Sequence, residues 1–371
     1  MPSPPMQRAL ALAGQAGHVS PNPAVGCVIV KDGQVVGEGY YAGPGSPHAE
    51  VAALSKAGAT ARGATVYVTL EPCRHDVSSS TGQPRLSCSR ALIDTGVGRV
   101  VCSMIDPDPR TSGQGKAALE AEGIEVEVGD GAEEASKLME AYLKHRRTGL
   151  PFVIVKYAAS LDGRIAAASG DSRWVSGPET LHWAHANRPL LDAIMVGAST
   201  VVIDDPQLTA RPDGVLSEHQ PLRVVVDSTG RISAEASVLK GDSKTLIATT
   251  HRSAAEWRRQ IEASGAQVLV MPPADDGRVP LRRLLEELGR RGVLSLLVEG
   301  GGVLHGSFFD QRLVDKVTAV IAPMIVGAGA MAVDGAGAQR MAGAVHLRDI
   351  TIGRLGDDIL VTGYPVWPAG G

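Results

Sequence analysis

Short apolar, β-rich runs alternate with helical stretches from one end of this chain to the other. A chain patterned in that way has to cover a sheet with helices, which makes it an α/β protein. In the first part, Ala24–Val30 and Val35–Tyr41 read as strands joined by Lys31-Asp32-Gly33-Gln34, a hairpin signal. Thr65–Leu70, Arg99–Met104 and Ile124–Val128 read as further strands. Met6–Ala16, His48–Ala57, Leu86–Asp94, Gly115–Glu122 and the long charged stretch Ala132–Arg147 read as helices. Thr148-Gly149-Leu150-Pro151 then breaks the pattern before a new strand. Beyond it, Phe152–Tyr157, Ala193–Val196, Arg223–Val226, Thr245–Ala248, Gln267–Val270, Ser295–Val298 and Val317–Ile321 are strand-like, with helical stretches such as Leu281–Arg290 between them. A length of 371 residues fits two domains, expected at 1–147 and 151–371, each large enough to bury its own core.

Composition narrows the function. Lys and Arg total 36 against 40 Asp and Glu, a net charge of −4, and aromatic residues are 4% of the chain. That argues against a nucleic-acid binder, which needs a basic stripe or stacking platforms. Met1–Ser20 lacks a signal-peptide core. The longest uncharged stretch, Val317–Val333, is shorter than the ~20 residues of a spanning helix and contains Pro323. It reads as a buried strand followed by a Gly-rich loop, so no membrane partner is expected. Four cysteines, Cys27, Cys73, Cys88 and Cys102, with none afterwards, are too few for a disulfide scaffold. A reducing, cytoplasmic setting is expected.

Two of those cysteines belong to a recognisable chemical pattern. His48-Ala49-Glu50 opens a helix, and Thr69-Leu70-Glu71-Pro72-Cys73 closes a strand, with Cys88 following. One His and two Cys supply three zinc ligands and leave a fourth position for water, the arrangement of a catalytic site with one zinc per chain. Glu50 then serves as general acid and base, as in the H-x-E and P-C signature of zinc nucleobase deaminases. His75 is a rival ligand, but chelation across one residue from Cys73 is awkward. Cys88 is favoured because a helix starts there, where the dipole favours a thiolate. Cys27 and Cys102, inside apolar strands, are expected to be core.

Ser20-Pro21-Asn22-Pro23-Ala24-Val25-Gly26-Cys27, Pro47-His48-Ala49-Glu50, Thr69-Leu70-Glu71-Pro72-Cys73 and Asp106-Pro107-Asp108-Pro109 together resemble the N-terminal half of the bifunctional riboflavin biosynthesis deaminase/reductase family. The resemblance implies a cytidine-deaminase-like α/β/α domain, in which Asn22 contacts the pyrimidine substrate and Asp106 borders it. Two departures stand out. Fourteen residues separate Cys73 from Cys88, an insertion of about six relative to the family's loop, with Arg85 the nearest basic residue for a substrate phosphate. Tyr41 stands where a His is common. These departures leave a second reading open, a reductase whose deaminase domain is inactive or retuned to another pyrimidine.

The second half carries Lys156-Tyr157-Ala158-Ala159-Ser160-Leu161-Asp162-Gly163-Arg164, Gly170-Asp171-Ser172-Arg173-Trp174, Asp204-Asp205-Pro206-Gln207-Leu208-Thr209-Ala210-Arg211 and Val298-Glu299-Gly300-Gly301-Gly302. A strand ending in three glycines before a helix suits a pyrophosphate, but no G-x-G-x-x-G fingerprint is present. This set is similar to the C-terminal half of the same family, which implies a dihydrofolate-reductase-like α/β domain. On that resemblance Lys156, Ser172, Arg188, Leu208, Arg211 and Glu299 hold the phosphorylated pyrimidine. Ala158, Trp174, Thr200, Asp204, Ser228 and Gly300, Gly301 and Gly302 hold NADPH. The activity implied is deamination of 2,5-diamino-6-ribosylamino-4(3H)-pyrimidinone 5′-phosphate, then reduction of its ribosyl group to ribityl. A homo-oligomer, dimer or tetramer, built through the reductase domain is implied as well.

Overall fold

The structure, a computed structural model, describes residues 1–74, 77–78 and 84–368, with backbone only at 77, 78, 84 and 85. The chain divides into two compact units, Met1–Gly149 and Leu150–Gly371.

The first unit is built on β1 (Gly26–Lys31), β2 (Gln34–Tyr40), β3 (Thr65–Val68), β6 (Arg99–Cys102) and β7 (Glu125–Val128), in the order β2-β1-β3-β6-β7. β4 (Val77–Ser78) and β5 (Pro84–Arg85) form a separate small ladder. β1 is antiparallel to β2 and β3, and the remaining neighbours are parallel. Asp32 and Gly33 both take positive φ, 51° and 77°, as a type I′ hairpin turn requires. Helices α1 (Pro4–Ala13), α2 (Ala49–Ala57), α3 (Cys88–Thr95) and α4 (Gln114–Ala121) pack on this sheet or on one another. Cys27 and Cys102 are fully buried among Ile29, Val66, Val68 and Leu92. Burial pushes their thiols up, that of Cys102 to about 12, so both are inert core residues.

The charged stretch expected as one helix over Ala132–Arg147 is two, α5 (Ala132–Leu138) and α6 (Glu140–Thr148), parted at Met139 with φ −117° and ψ 19°. No Gly or Pro marks that break; Met139 is itself buried and sits at the turn between two helices that contact each other.

The second unit carries nine strands: β8 (Phe152–Ser160), β9 (Ala193–Gly197), β10 (Leu222–Val226), β11 (Thr245–Thr250), β12 (Gln267–Met271), β13 (Ser295–Gly300), β14 (Lys316–Ala322), β15 (His346–Leu355) and β16 (Asp358–Val366). Their order is β12-β11-β10-β9-β13-β8-β14-β16-β15, parallel from β12 to β14 and antiparallel for the last two strands. The sequence pattern did not reveal β15 and β16, because β15 is exposed on most of its length and lacks alternating burial. Helices α7 (Pro178–Asn187), α8 (Ala198–Asp204), α9 (Ala255–Ala263), α10 (Leu281–Arg290) and α11 (Gly302–Asp310) complete the unit. The chain leaves β9 toward β10 on one side of the sheet and returns to β13 on the other side. α8 and α11 therefore begin at neighbouring strand ends, where open α/β sheets form their ligand crevice. Among the described residues no helix is long and apolar enough to cross a membrane.

Candidate active sites

In the first unit, His48 is the residue before α2, Cys73 follows the end of β3, and Cys88 is the first residue of α3. α2 reaches this position because Gly39 of β2 has no side chain: a Cβ there would stand 2.4 Å from the Ala49 carbonyl oxygen. His48 Nδ1 lies 3.6 Å from Cys73 Sγ and 3.3 Å from Cys88 Sγ, and the three ligand atoms all fall within 4.8 Å of one another. Ligands at the Zn–N and Zn–S bond lengths in tetrahedral geometry are about 3.5–3.8 Å apart, so this donor set fits zinc. The backbone N–H of Cys88 donates to Cys73 Sγ across 3.4 Å. The Cys73 thiol is drawn down by its bond to Cys88 first and to His48 next, giving the thiolate a metal needs. Glu50, the second residue of α2, is buried. Burial first, then the Cys73 charge, pushes its carboxyl up to about 7, where a group can both accept and release a proton near neutrality.

The Asn22 side-chain N–H donates to the Tyr41 hydroxyl at 2.7 Å, and the Tyr41 ring meets the His48 ring edge-on at 5.7 Å. Tyr41 thus links Asn22 to the ligand histidine. Asp106 is buried and accepts from the Tyr142 hydroxyl at 2.9 Å and from the Asp108 N–H at 2.9 Å. Burial raises its carboxyl above the ordinary value. Arg146 lies over the Tyr142 ring, pairs with Asp108 at 3.3 Å and donates to the Pro21 carbonyl at 3.0 Å. Tyr142 and Arg146 were not singled out from sequence; they sit on a helix whose charge reads only as a solvated face. His75 and the Arg85 side chain lie outside the described residues.

In the second unit a cleft of about 1360 Å³ lies at the carboxyl ends of β9, β10 and β13. Of the residues expected to hold the cofactor, Thr200, Asp204, Ser228, Gly301 and Gly302 line it, and Ser172 joins them. Ala158, Gly300 and Trp174 do not, and Trp174 is 67% exposed. The Ser172 hydroxyl donates to Asp204 at 2.8 Å, so a residue expected at the substrate touches one expected at the cofactor. Glycine is required in the turn by close packing: a Cβ on Gly302 would lie 2.1 Å from the Met331 carbonyl oxygen, and one on Gly301 would lie 3.3 Å from Thr200 Oγ1. Arg231, Arg252, Arg278, Arg282 and Arg283 line the cleft as well, alongside the carboxylates of Asp204, Asp275, Asp276, Glu286 and Asp334.

Arg188 holds Glu299 with two contacts, at 2.7 and 3.4 Å, and donates a third bond to the Thr209 carbonyl at 2.9 Å. Its donor fork is therefore engaged by protein groups. Burial raises the Glu299 carboxyl, but Arg188 and Lys156 outweigh it and bring it down to about 2. Lys156 is lowered, by burial first, against the opposing pull of Glu299. Arg211 bonds Gln207 through its guanidinium. The Leu208 side chain is buried in the core with Ile194, Val225 and Ile247 and is not presented to a ligand.

Comparison with known proteins covers nearly the whole chain. Residues 3–104 match the cytidine and deoxycytidylate deaminase zinc-binding region, and residues 151–361 match the RibD C-terminal domain. The riboflavin biosynthesis protein RibD of Escherichia coli is 38% identical over 366 residues, 95% of this chain and 96% of that one. The protein of the same description from Chlamydia trachomatis is 43% identical over 326 residues, 87% of this chain and 84% of its own. Among solved structures, Acinetobacter baumannii RibD superposes with a TM-score of 0.87 at 35% identity, covering 98% of both chains. A Thermotoga maritima structure described as a diaminohydroxyphosphoribosylaminopyrimidine deaminase/5-amino-6-(5-phosphoribosylamino)uracil reductase superposes with a TM-score of 0.81 at 31% identity, again covering 98% of each.

Proposed function

The chain belongs to the RibD family, bifunctional zinc-dependent deaminases and NADPH-dependent reductases of riboflavin biosynthesis, and on that premise we propose how its residues divide the work. Residues 1–147 deaminate and residues 151–371 reduce. The deaminase substrate is 2,5-diamino-6-ribosylamino-4(3H)-pyrimidinone 5′-phosphate, and the final product is 5-amino-6-(5-phosphoribitylamino)uracil.

His48, Cys73 and Cys88 hold one zinc. When bound, zinc supplies Lewis acidity, which brings a coordinated water's pKa towards neutrality. Glu50 accepts a proton at its carboxylate and returns it to the departing amine at C2. Asn22, held by Tyr41, and Asp106, held by Tyr142, orient the pyrimidine. In the reductase, Thr200, Asp204, Ser228, Gly301 and Gly302 hold NADPH, which supplies the hydride for C1′, with Ala158, Trp174 and Gly300 at its margins. Lys156, Ser172, Leu208, Arg211 and the Arg188–Glu299 pair hold the ribosyl phosphate. The engaged fork of Arg188 makes it a support for Glu299, leaving Lys156 and Arg211 to meet the phosphate.

A homo-oligomer built through the reductase unit accounts for β15, an edge strand with Ile350 53% and Ile352 74% exposed. Four cysteines, none of them in a disulfide, fit a reducing cytoplasm.

The observation that carries the proposal is the meeting of His48 Nδ1, Cys73 Sγ and Cys88 Sγ around a buried Glu50. The protein incubated with the diaminopyrimidinone phosphate is expected to release ammonia and then oxidise NADPH. NADPH oxidation on the deaminated substrate without any ammonia release from the diamino compound would overturn the two-step assignment.

A further inference from the structure

Glu71 lies two residues before Cys73, is buried, and has no part in the chemistry above. Its carboxylate gathers backbone N–H groups from a distant segment. Oε2 accepts from Asp106 at 3.2 Å and from Gly113 at 2.9 Å, and Oε1 accepts from Lys116 at 3.0 Å. Its own N–H donates to the Met104 carbonyl at 3.0 Å. The segment so held runs from Asp106 into the first turn of α4. Gly113, the residue before α4, offers no capping side chain, so Glu71 supplies from another element the acceptor that the helix start needs. Charge-assisted bonds of this kind are the stronger ones.

Gly115 gives a second, independent sign of the same contact. A Cβ there would stand 1.8 Å from the Pro72 carbonyl oxygen, so the start of α4 rests directly on the peptide that precedes the metal ligand. At the other end of the segment Asp106 is fixed by Tyr142.

We propose that Glu71 is a positioning residue of the deaminase: it ties the chain carrying Cys73 to the Asp106–Lys116 segment, so that ligand and substrate-bordering loop keep one register. The inference rests on the deaminase reading. It assigns to Glu71 an effect on turnover beyond its effect on folding: Glu71 bonds no ligand itself and acts through the chain that carries Cys73, and residues that support a metal centre from outside its coordination sphere are commonly worth about 10- to 100-fold.

The test compares Glu71→Gln, Glu71→Ala and Gly115→Ala in the full chain, well below their melting temperatures, with deaminase kcat expressed per bound zinc. Ammonia release by the unaltered protein comes first; if it fails, the deaminase reading fails and the variants are not at issue. Given that activity, kcat per zinc is expected to fall about 10- to 100-fold in Glu71→Ala. KM should move less than kcat, and Glu71→Gln, which keeps one acceptor oxygen, should recover part of the loss. Gly115→Ala should lower kcat per zinc as well, and combining it with Glu71→Ala should cost less than the two losses multiplied, since both break one contact. NADPH oxidation on the deaminated substrate stays unchanged throughout. Wild-type kcat per bound zinc in the Glu71 variants would overturn the proposal, as would a loss of activity fully matched by loss of zinc and of the folded deaminase unit.

Discussion

In the first unit three side-chain atoms meet within 4.8 Å, whereas in the second a cleft of about 1360 Å³ is shaped by strand ends, a glycine turn and main-chain groups. The contrast follows from what each ligand demands. A metal ion is recognised by few donor atoms at fixed distances, so the residue types are dictated and stand out as His-Ala-Glu and Glu-Pro-Cys. An extended dinucleotide is held by many weak, partly backbone contacts, so no single residue type is imposed and the trace in sequence is a run of glycines.

The sharpest way to break the comparison is at Glu50. Glu50→Gln keeps size and removes the proton-carrying group, so deaminase kcat is expected to fall by about 10²- to 10⁴-fold. Zinc stays at one per chain and the reductase rate is unchanged, as metal analysis and the two assays would show. A loss in both activities would mean that the two sites are not separable.

A smaller effect is expected at the buried charges of the reductase. Glu299→Gln leaves Arg188 and Lys156 without their carboxylate, which should lower the stability of this unit by about 3 kcal/mol, read as a fall in its melting temperature. The pH dependence has a definite sign. The Glu299 carboxyl is about 2 in the folded unit and near the ordinary 4.5 when unfolded, so the folded state binds fewer protons in between. Its stabilisation is complete above about pH 4.5 and is lost as pH falls toward 2, and the Glu299→Gln variant should lack that acid-side slope. An identical slope in both would assign it to other groups.

The smallest effect is expected at the glycine turn. Gly302→Ala would place a methyl group against the Met331 carbonyl and overpack the turn by about 1–3 kcal/mol, weakening NADPH binding by roughly 10-fold in a fluorescence titration. Because the cradle is distributed, no single change in it should match the loss at Glu50; a greater loss would mean that the cleft depends on one residue after all.

The cluster of His48, Cys73 and Cys88 was legible because residues of metal-ligand type announce themselves, although fourteen residues part Cys73 from Cys88. The long-range hydrogen bonds around that cluster were not legible. Tyr142 bonds Asp106 across 36 positions, and Glu71 bonds Lys116 across 45. A Tyr on a charged helix, or a Glu within a strand-end motif, has no local pattern that names its partner. The same holds for Arg188, expected to bind phosphate with its fork but turned to Glu299, 111 residues away. β15 escaped because it is an exposed edge strand, and β16, which lies between β14 and β15, escaped with it.

Sequence alone pointed to the α/β alternation, the hairpin at Asp32-Gly33 and the cluster of His48, Cys73 and Cys88, whose ligand atoms the fold brings within 4.8 Å of one another. Each of these depends on residue type and short spacing, which the chain carries locally. Only the tertiary structure decided the break at Met139, the burial that pushes Glu50 up to about 7, the pairing of Arg188 with Glu299, and the seat of α4 on Pro72. Those depend on which distant groups share a dry, close-packed space, and that is fixed only once the sheets have formed and their helices have packed on them.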